Sequence, residues 1–181
     1  ILFYGTSIMH GACASRPGMA FPAILGRRLR RPTLNLGFSG NGRMEIEVAN
    51  LLAEQDPCAY VIDCLPNMNE TTVSERTIPL VKKIRATHDK TPILLVEDRS
   101  FTNSEFFPEM KSHHQKSRAA LKKAYAELTD AGVGNLYYLD GDHLLGEDGE
   151  GATDGSHPSD LGMLRYADAY EPVLRAILKQ F

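Results

Sequence analysis

At 181 residues, with 43% apolar and 24% charged residues, the chain has the length and make-up of one globular domain built on a single core. A formal net charge of −3 without any basic run argues against nucleic acid and anionic membranes as main partners, and no apolar stretch approaches the ~20 residues of a membrane span. The cysteines, Cys13, Cys58 and Cys64, are odd in number and form no C-x-x-C pair, so Cys58 and Cys64 read as buried free thiols rather than a disulfide framework.

The chain opens on Ile1-Leu2-Phe3-Tyr4-Gly5-Thr6-Ser7, four apolar residues running into a glycine turn with a serine just beyond. This pattern predicts a first strand over Ile1–Tyr4 that delivers Ser7 to a sheet edge. Short apolar runs at Thr33–Gly37, Ala59–Leu65, Pro92–Val96 and Asn135–Leu139 predict four more strands, each read as buried on both faces, as parallel sheets require. Helix-length segments lie between and after them: Phe21–Arg30, Met44–Glu54, Val73–Thr87, Lys111–Ala131 and Ser159–Gln180. Gly132 is placed to end the fourth helix and Ser159 to cap the fifth. The alternation predicts an α/β fold: a three-layer α/β/α sandwich on a flavodoxin-like five-stranded parallel sheet of order 2-1-3-4-5. Ser7, Gly40 and Asn67 then follow strands one, two and three at the edge where such folds bind ligands. Two long loops, Glu97–Glu109 and Gly141–Pro158, leave that same edge, and loops of this length in a compact domain are often functional.

A serine hydroxyl is a weak nucleophile until a base takes its proton. Asp154-Gly155-Ser156-His157-Pro158 offers one: across one turn the Asp154 carboxylate can take the imidazole Nδ1–H and leave Nε2 facing Ser7. Taken alone, Asp154 also reads as a loop acid and His157 as a residue entering a helix. The glycines of Leu36-Gly37-Phe38-Ser39-Gly40-Asn41-Gly42 let backbone approach a ligand, or simply satisfy a turn. Asn67 offers a side-chain amide or a turn cap.

Gly5-Thr6-Ser7, Gly40 in Phe38-Ser39-Gly40-Asn41-Gly42, Asn67, and Asp154-Gly155-Ser156-His157 together resemble the four blocks of the SGNH (GDSL-like) hydrolase family, in the family's order and over nearly the whole chain. The resemblance implies Ser7 as nucleophile, His157 as base oriented by Asp154, and an oxyanion hole from the Ser7 and Gly40 amides with the Asn67 side chain. Thr6 stands where the family usually has aspartate, and Leu65 and Met68 replace the glycine and aspartate of the third block, so substrate preference does not transfer. The wording resembles a bacterial subgroup that often carries a β-sandwich domain upstream. Residues 1–181 are thus expected to be one catalytic domain of a longer chain, with its compartment open.

The expected chemistry is that of a serine esterase acting through an acyl-enzyme on a small acyl group, such as acetate on a carbohydrate, with no cofactor. An acyltransferase using the same residues is the alternative. A flavin-binding protein or a non-catalytic binding module on the same scaffold would leave Asn67 and the Asp154/His157 pair without a task. The α/β-hydrolase pattern fails, because Ser7 is not in G-x-S-x-G. Thr6, His10, Arg16 and Glu97 are expected to contact substrate, Asp98 to line the cleft beside Glu97, and Ser15 to shape a pocket. Cys13 is a second possible nucleophile. Arg43 and Glu45 read as the start of a helix. His113 and His114 lack the i, i+4 spacing of a helical zinc pair, and the acidic loop Asp140, Asp142, Glu147, Asp148 lacks EF-hand spacing, so no metal set is expected.

Overall fold

The computed structural model describes residues 1–179. Five parallel strands, β1 (Leu2–Gly5), β2 (Leu34–Gly37), β3 (Tyr60–Asp63), β4 (Ile93–Val96) and β5 (Leu136–Leu139), form one sheet in the order 2-1-3-4-5. The helices are α1 (Ser7–His10), α2 (Phe21–Leu29), α3 (Ile46–Leu52), α4 (Glu70–Arg85), α5 (Pro108–Asp130) and α6 (Asp160–Leu178). The expected last helix reached Gln180, which lies outside the described residues. The three-layer fold expected from the sequence is the one observed.

The period of two in a strand sends alternate side chains to opposite faces, and two cores result. Tyr4, Ile62 and Leu95 face α3, α4 and α5, and pack with Leu52, Leu80 and Leu121. Phe3, Val61, Leu94 and Val96 face α2 and α6. There Phe21 sits with ring centroids 5.2 Å from Tyr166 and 5.0 Å from Tyr170. Every residue of β1, β3 and β4 is buried, as expected of strands covered on both sides.

The expectation fails at both edges of the sheet: in β2 Leu34 is 45% exposed, and in β5 only Leu136 is buried, the rest being half-buried. The reason is topological: β2 pairs with β1 alone and β5 with β4 alone, so each edge strand leaves one flank open. Cys64 is buried, as read, whereas Cys58 is exposed, because β3 starts at Tyr60 and leaves Cys58 in the preceding turn. Two helices begin earlier than their apolar pattern suggested. Asn69 caps α4 through a reciprocal box with Thr72, and Pro108, with its fixed φ, opens α5. The loop after β4 is correspondingly shorter and contains a 3-10 turn over Ser104–Phe106. Ser159 Oγ accepts the Gly162 N–H at 3.4 Å, so α6 starts as expected.

The register aligns the carboxyl ends of the central strands. Gly5 stands opposite Gly37 on one side and Asp63 on the other. The segments that follow β1, β2 and β3 therefore leave the sheet at one level, and the site is built there.

Candidate active site

Thr6 ends the first strand by capping α1, its hydroxyl accepting the Ile8 N–H at 3.3 Å. Ser7 becomes the first residue of that short helix. Its N–H belongs to the first-turn donors that have no acceptor inside the helix. Thr6 is fully buried, so its task is this cap and not the substrate contact expected of it.

Ser7 Oγ lies 2.9 Å from His157 Nε2, and His157 Nδ1 lies 2.7 Å from Asp154 Oδ2. Asp154 Oδ1 accepts the backbone N–H groups of Ser156 at 2.9 Å and His157 at 2.7 Å. Partial burial pushes the Asp154 carboxyl up, but hydrogen bonds from the His157 backbone and ring and from Ser156 outweigh it and bring the pKa down to about 2. Asp154 is thus an anion at neutral pH. An anion can only accept, so Nδ1 carries the proton of the neutral imidazole and Nε2 turns its lone pair to the Ser7 hydroxyl.

The loop carrying His157 is held from behind. Arg99 donates from Nη1 to Asp98, from Nη2 to Ser156 Oγ, and from Nε to the Ser156 carbonyl at 3.3 Å. Asp98 also bonds His114 Nδ1, and its backbone carbonyl accepts from Arg118 Nε at 2.7 Å. The Thr102 N–H donates to the Gly155 carbonyl at 3.0 Å. Gly155 has φ +86, and a side chain there would press on the Asn103 amide. Asp98, Arg99 and His114 are 1%, 3% and 3% exposed, and the Arg99 guanidinium lies 4.5 Å from the Phe101 ring centroid. Burial pushes Asp98 up, but the Arg99 charge and the His114 bond outweigh it and hold Asp98 below the usual carboxylate range. Three ionisable groups are thus taken out of water and paired with one another. Their outward connection is to Ser156, the residue before His157.

On the other side of Ser7 the turn after β2 carries Gly40 at φ +68, with open space where a side chain would stand. Gly42, also at φ +68, packs so closely on the Gly5 carbonyl that a Cβ would collide with it. Asn67 ends a 3-10 turn over Leu65–Asn67, and its amide donates to the Asn41 carbonyl. The structure therefore brings Gly40 and Asn67 to neighbouring turns at the carboxyl edge.

His10 and Arg16 line a cleft of about 760 Å³ beside Ser15 and Ser39. Ser15 is tied to the start of α6 by two bonds to Asp160, 2.8 Å from its N–H and 2.5 Å from its hydroxyl. Glu97 does not join them. It is 6% exposed, accepts from Tyr138 at 2.6 Å and from the Gly141 N–H at 3.0 Å, and fastens β5 to β4. Its position at a strand end was right, but β5 and the loop behind it cover the side chain. Asp98 turns inward in the same way. Cys13 is exposed. His113 and His114 part as expected: His114 is buried against Asp98, while His113 is half-buried at a second cleft. Among the described residues no group of three His, Cys, Asp or Glu is placed to hold a metal ion.

Arg99 escaped the sequence reading. Its one visible signal was a charged triplet, Glu97-Asp98-Arg99, directly after an all-apolar strand. Charges at that point must either reach water or find partners, and these find partners.

Known proteins share this arrangement of elements. A protein described as a GDSL-like lipase from Bacteroides ovatus superposes with a TM-score of 0.95 at 40% identity, over 98% of this chain and 53% of its own. A salicylyl-acyltransferase from a tetracycline biosynthetic pathway gives 0.81 at 22% identity, over 97% and 54%. A family two carbohydrate esterase from Clostridium thermocellum gives 0.76 at 14%, over 99% and 64%. The chain thus spans about half the length of the first two of these solved relatives. No curated protein matches the sequence significantly. The model of the GDSL-like lipase/acylhydrolase family matches residues 1–175, almost the entire chain. With a 40% identical relative covering the same span, the protein belongs to the GDSL-like lipase/acylhydrolase family.

Proposed function

We propose that the protein is a serine esterase in which Ser7 is the nucleophile, His157 the general base and Asp154 the group that orients it. The observation that carries this reading is the continuous chain of hydrogen bonds, 2.9 Å from Ser7 Oγ to His157 Nε2 and 2.7 Å from Nδ1 to Asp154. In the first step Ser7 Oγ bonds to the ester carbonyl carbon while its proton passes to Nε2. The carbonyl π electrons move to oxygen, and the imidazolium is stabilised by Asp154. The Ser7 and Gly40 N–H groups and the Asn67 amide are the proposed donors to that oxyanion, each such donor typically contributing ~3 kcal/mol. Collapse breaks the bond to the alcohol oxygen, which takes the proton from His157. Water, deprotonated by the same base, then releases the acid and restores Ser7.

The preferred substrate is a small acyl ester, such as an acetyl group on a carbohydrate. The fold shared with a carbohydrate esterase and the absence of any apolar lid in the sequence support it. The fold shared with a salicylyl-acyltransferase keeps acyl transfer as the second reading, in which a substrate hydroxyl replaces water. Residues 1–181 would act as one catalytic domain of a longer protein, a reading supported by their covering about half of the GDSL-like lipase and of the salicylyl-acyltransferase. The test is acetate release from acetylated sugars and aryl acetates by the wild type beside Ser7→Ala, with and without an added alcohol. Free acetate that disappears in Ser7→Ala supports the esterase. An acetylated alcohol as the main product selects the transferase, and equal rates in both proteins reject both readings.

A further inference from the structure

A second cleft of about 450 Å³ opens beside Asn67 and is lined by Arg43, Pro66, Met68, Asn69, Thr72, Arg76 and His113. It is cationic by construction. Arg43 comes from the turn after Gly40 and donates to the Gly40 carbonyl at 2.9 Å; Arg76 comes from α4 and donates to the Arg43 carbonyl at 3.0 Å. Each guanidinium is thus anchored through a backbone carbonyl, not a carboxylate. Among the described residues neither has an acidic partner within ion-pair distance, whereas Arg28, Arg99, Arg118, Arg165 and Arg175 all do. Anchored guanidiniums with spare N–H groups lose little freedom when they take up an anion.

Glu45 is the carboxylate hydrogen-bonded to the lining of this cleft. Its Oε2 accepts from the Arg43 backbone N–H at 2.8 Å and from the Tyr4 hydroxyl at 2.6 Å, so that oxygen is occupied from the protein side. Two fixed cations against this one anion leave a net charge near +1, which suits a carboxylate better than a doubly charged phosphate. Glu70, in the first turn of α4, is exposed and does not line the cleft. Asn69, Thr72 and His113 add polar groups around the same opening. The first cleft, on the His10 and Arg16 side, holds Arg16 with Ser15 and the alanines 12, 14, 20 and 23, so the two sides of the Gly40 turn differ in character.

We propose that the Arg43/Arg76/His113 cleft is a subsite for a carboxylate carried by the ester that reacts at Ser7. The proposal rests on the esterase reading for the identity of its ligand, and it names a substrate class: an ester with a free acid group on its acyl or alcohol portion. Bound there, the acid group would fix the ester relative to Asn67, and through it to the oxyanion position.

Two matched pairs test this: phenyl hydrogen adipate with its methyl ester, and 4-acetoxybenzoate with its methyl ester. The first carries the acid on the acyl side and the second on the alcohol side. The expected result is a preference in kcat/KM of about tenfold or more for the free acid in one pair, the gain of one charge-assisted contact. That ratio should fall close to one in Arg43→Met/Arg76→Met and be largely kept in Arg76→Lys. Hydrolysis with no acid preference in either pair, or a preference that survives the double methionine variant, overturns the subsite and leaves the esterase standing. If none of the four esters is hydrolysed, the esterase reading fails first. Titration calorimetry with adipate then decides the subsite: binding by wild type but not by the double variant upholds it, and no binding overturns it.

Discussion

The two flanks of Ser7 are held by different physics. On the base side, Asp98, Arg99 and His114 form a buried ionic cluster that grips Ser156 and so locates His157. On the oxyanion side, Gly40 and Asn67 sit in turns close to solvent, held by backbone geometry and by the bond from Asn67 to the Asn41 carbonyl. A buried ion cluster costs much to break, because each survivor is left as an unpaired charge. An exposed turn costs little to alter, yet it can carry a donor whose value appears only when negative charge develops. Stability and rate should therefore separate across the two flanks.

The largest effect on stability is expected at Arg99. Arg99→Met takes the guanidinium from the buried Asp98 carboxylate, leaving it only the His114 bond, and should destabilise the fold by ~3–5 kcal/mol, read by urea denaturation. A loss under 1 kcal/mol would erase the contrast between the flanks. Asn67→Ala should do the opposite, lowering kcat by ~10²–10³ while the denaturation midpoint moves little. If it unfolds the protein instead, Asn67 is a structural cap. A smaller change sharpens the base side: Gly155→Ala forces a side chain into φ +86 against Asn103, costing ~1–3 kcal/mol and displacing the loop that carries His157. Its kcat should fall more than its stability alone explains, which a turnover assay well below the unfolding temperature will show.

A further effect, read through pH and not through a single midpoint, concerns Asp63, buried behind the site and accepting from Tyr170 at 2.7 Å. Burial raises its pKa to about 7, against the opposing Tyr170 bond and with help from the Asp98 charge. An unfolded aspartate titrates near ~3.9, so between about pH 4 and 7 the folded state binds more protons than the unfolded one. Stability from this group is greatest at the low end of that window and is lost as pH rises toward 7. The slope is at most ~1.4 kcal/mol per pH unit. Asp63→Asn should flatten it, and denaturation midpoints at pH 5, 6 and 7 will show whether it does.

This contrast also explains what the sequence made legible. Ser7, Gly40 and Asn67 follow strand ends and His157 lies in the loop after the last strand, so once strand order is inferred the edge they share follows from topology. The order 2-1-3-4-5 came from the alternation of elements together with right-handed crossovers, as the simplest doubly wound arrangement, and it is the order observed. The base-side cluster came from elsewhere. Arg99 reaches Ser156 across 57 positions, and no local pattern records a contact between two loops. The same blindness placed Glu97 in the cleft, since nothing nearby in sequence shows that Tyr138 and Gly141 cover it. Edge status misled in the other direction: β2 carries Leu34 and Leu36 like an interior strand, yet one neighbour is all it has. Local chemistry was legible; the burial that depends on partners far along the chain was not.

The claim at the centre of this account is that Ser7 is activated by His157. The most direct measurement is labelling with a fluorophosphonate probe, which reacts with an activated serine, on wild type, Ser7→Ala and His157→Gln. The account predicts one label per wild-type chain, on Ser7 by peptide mapping, none on Ser7→Ala, and a rate at least ~10³-fold lower on His157→Gln. Equal labelling of wild type and Ser7→Ala, or no label on a folded wild-type protein, would contradict it.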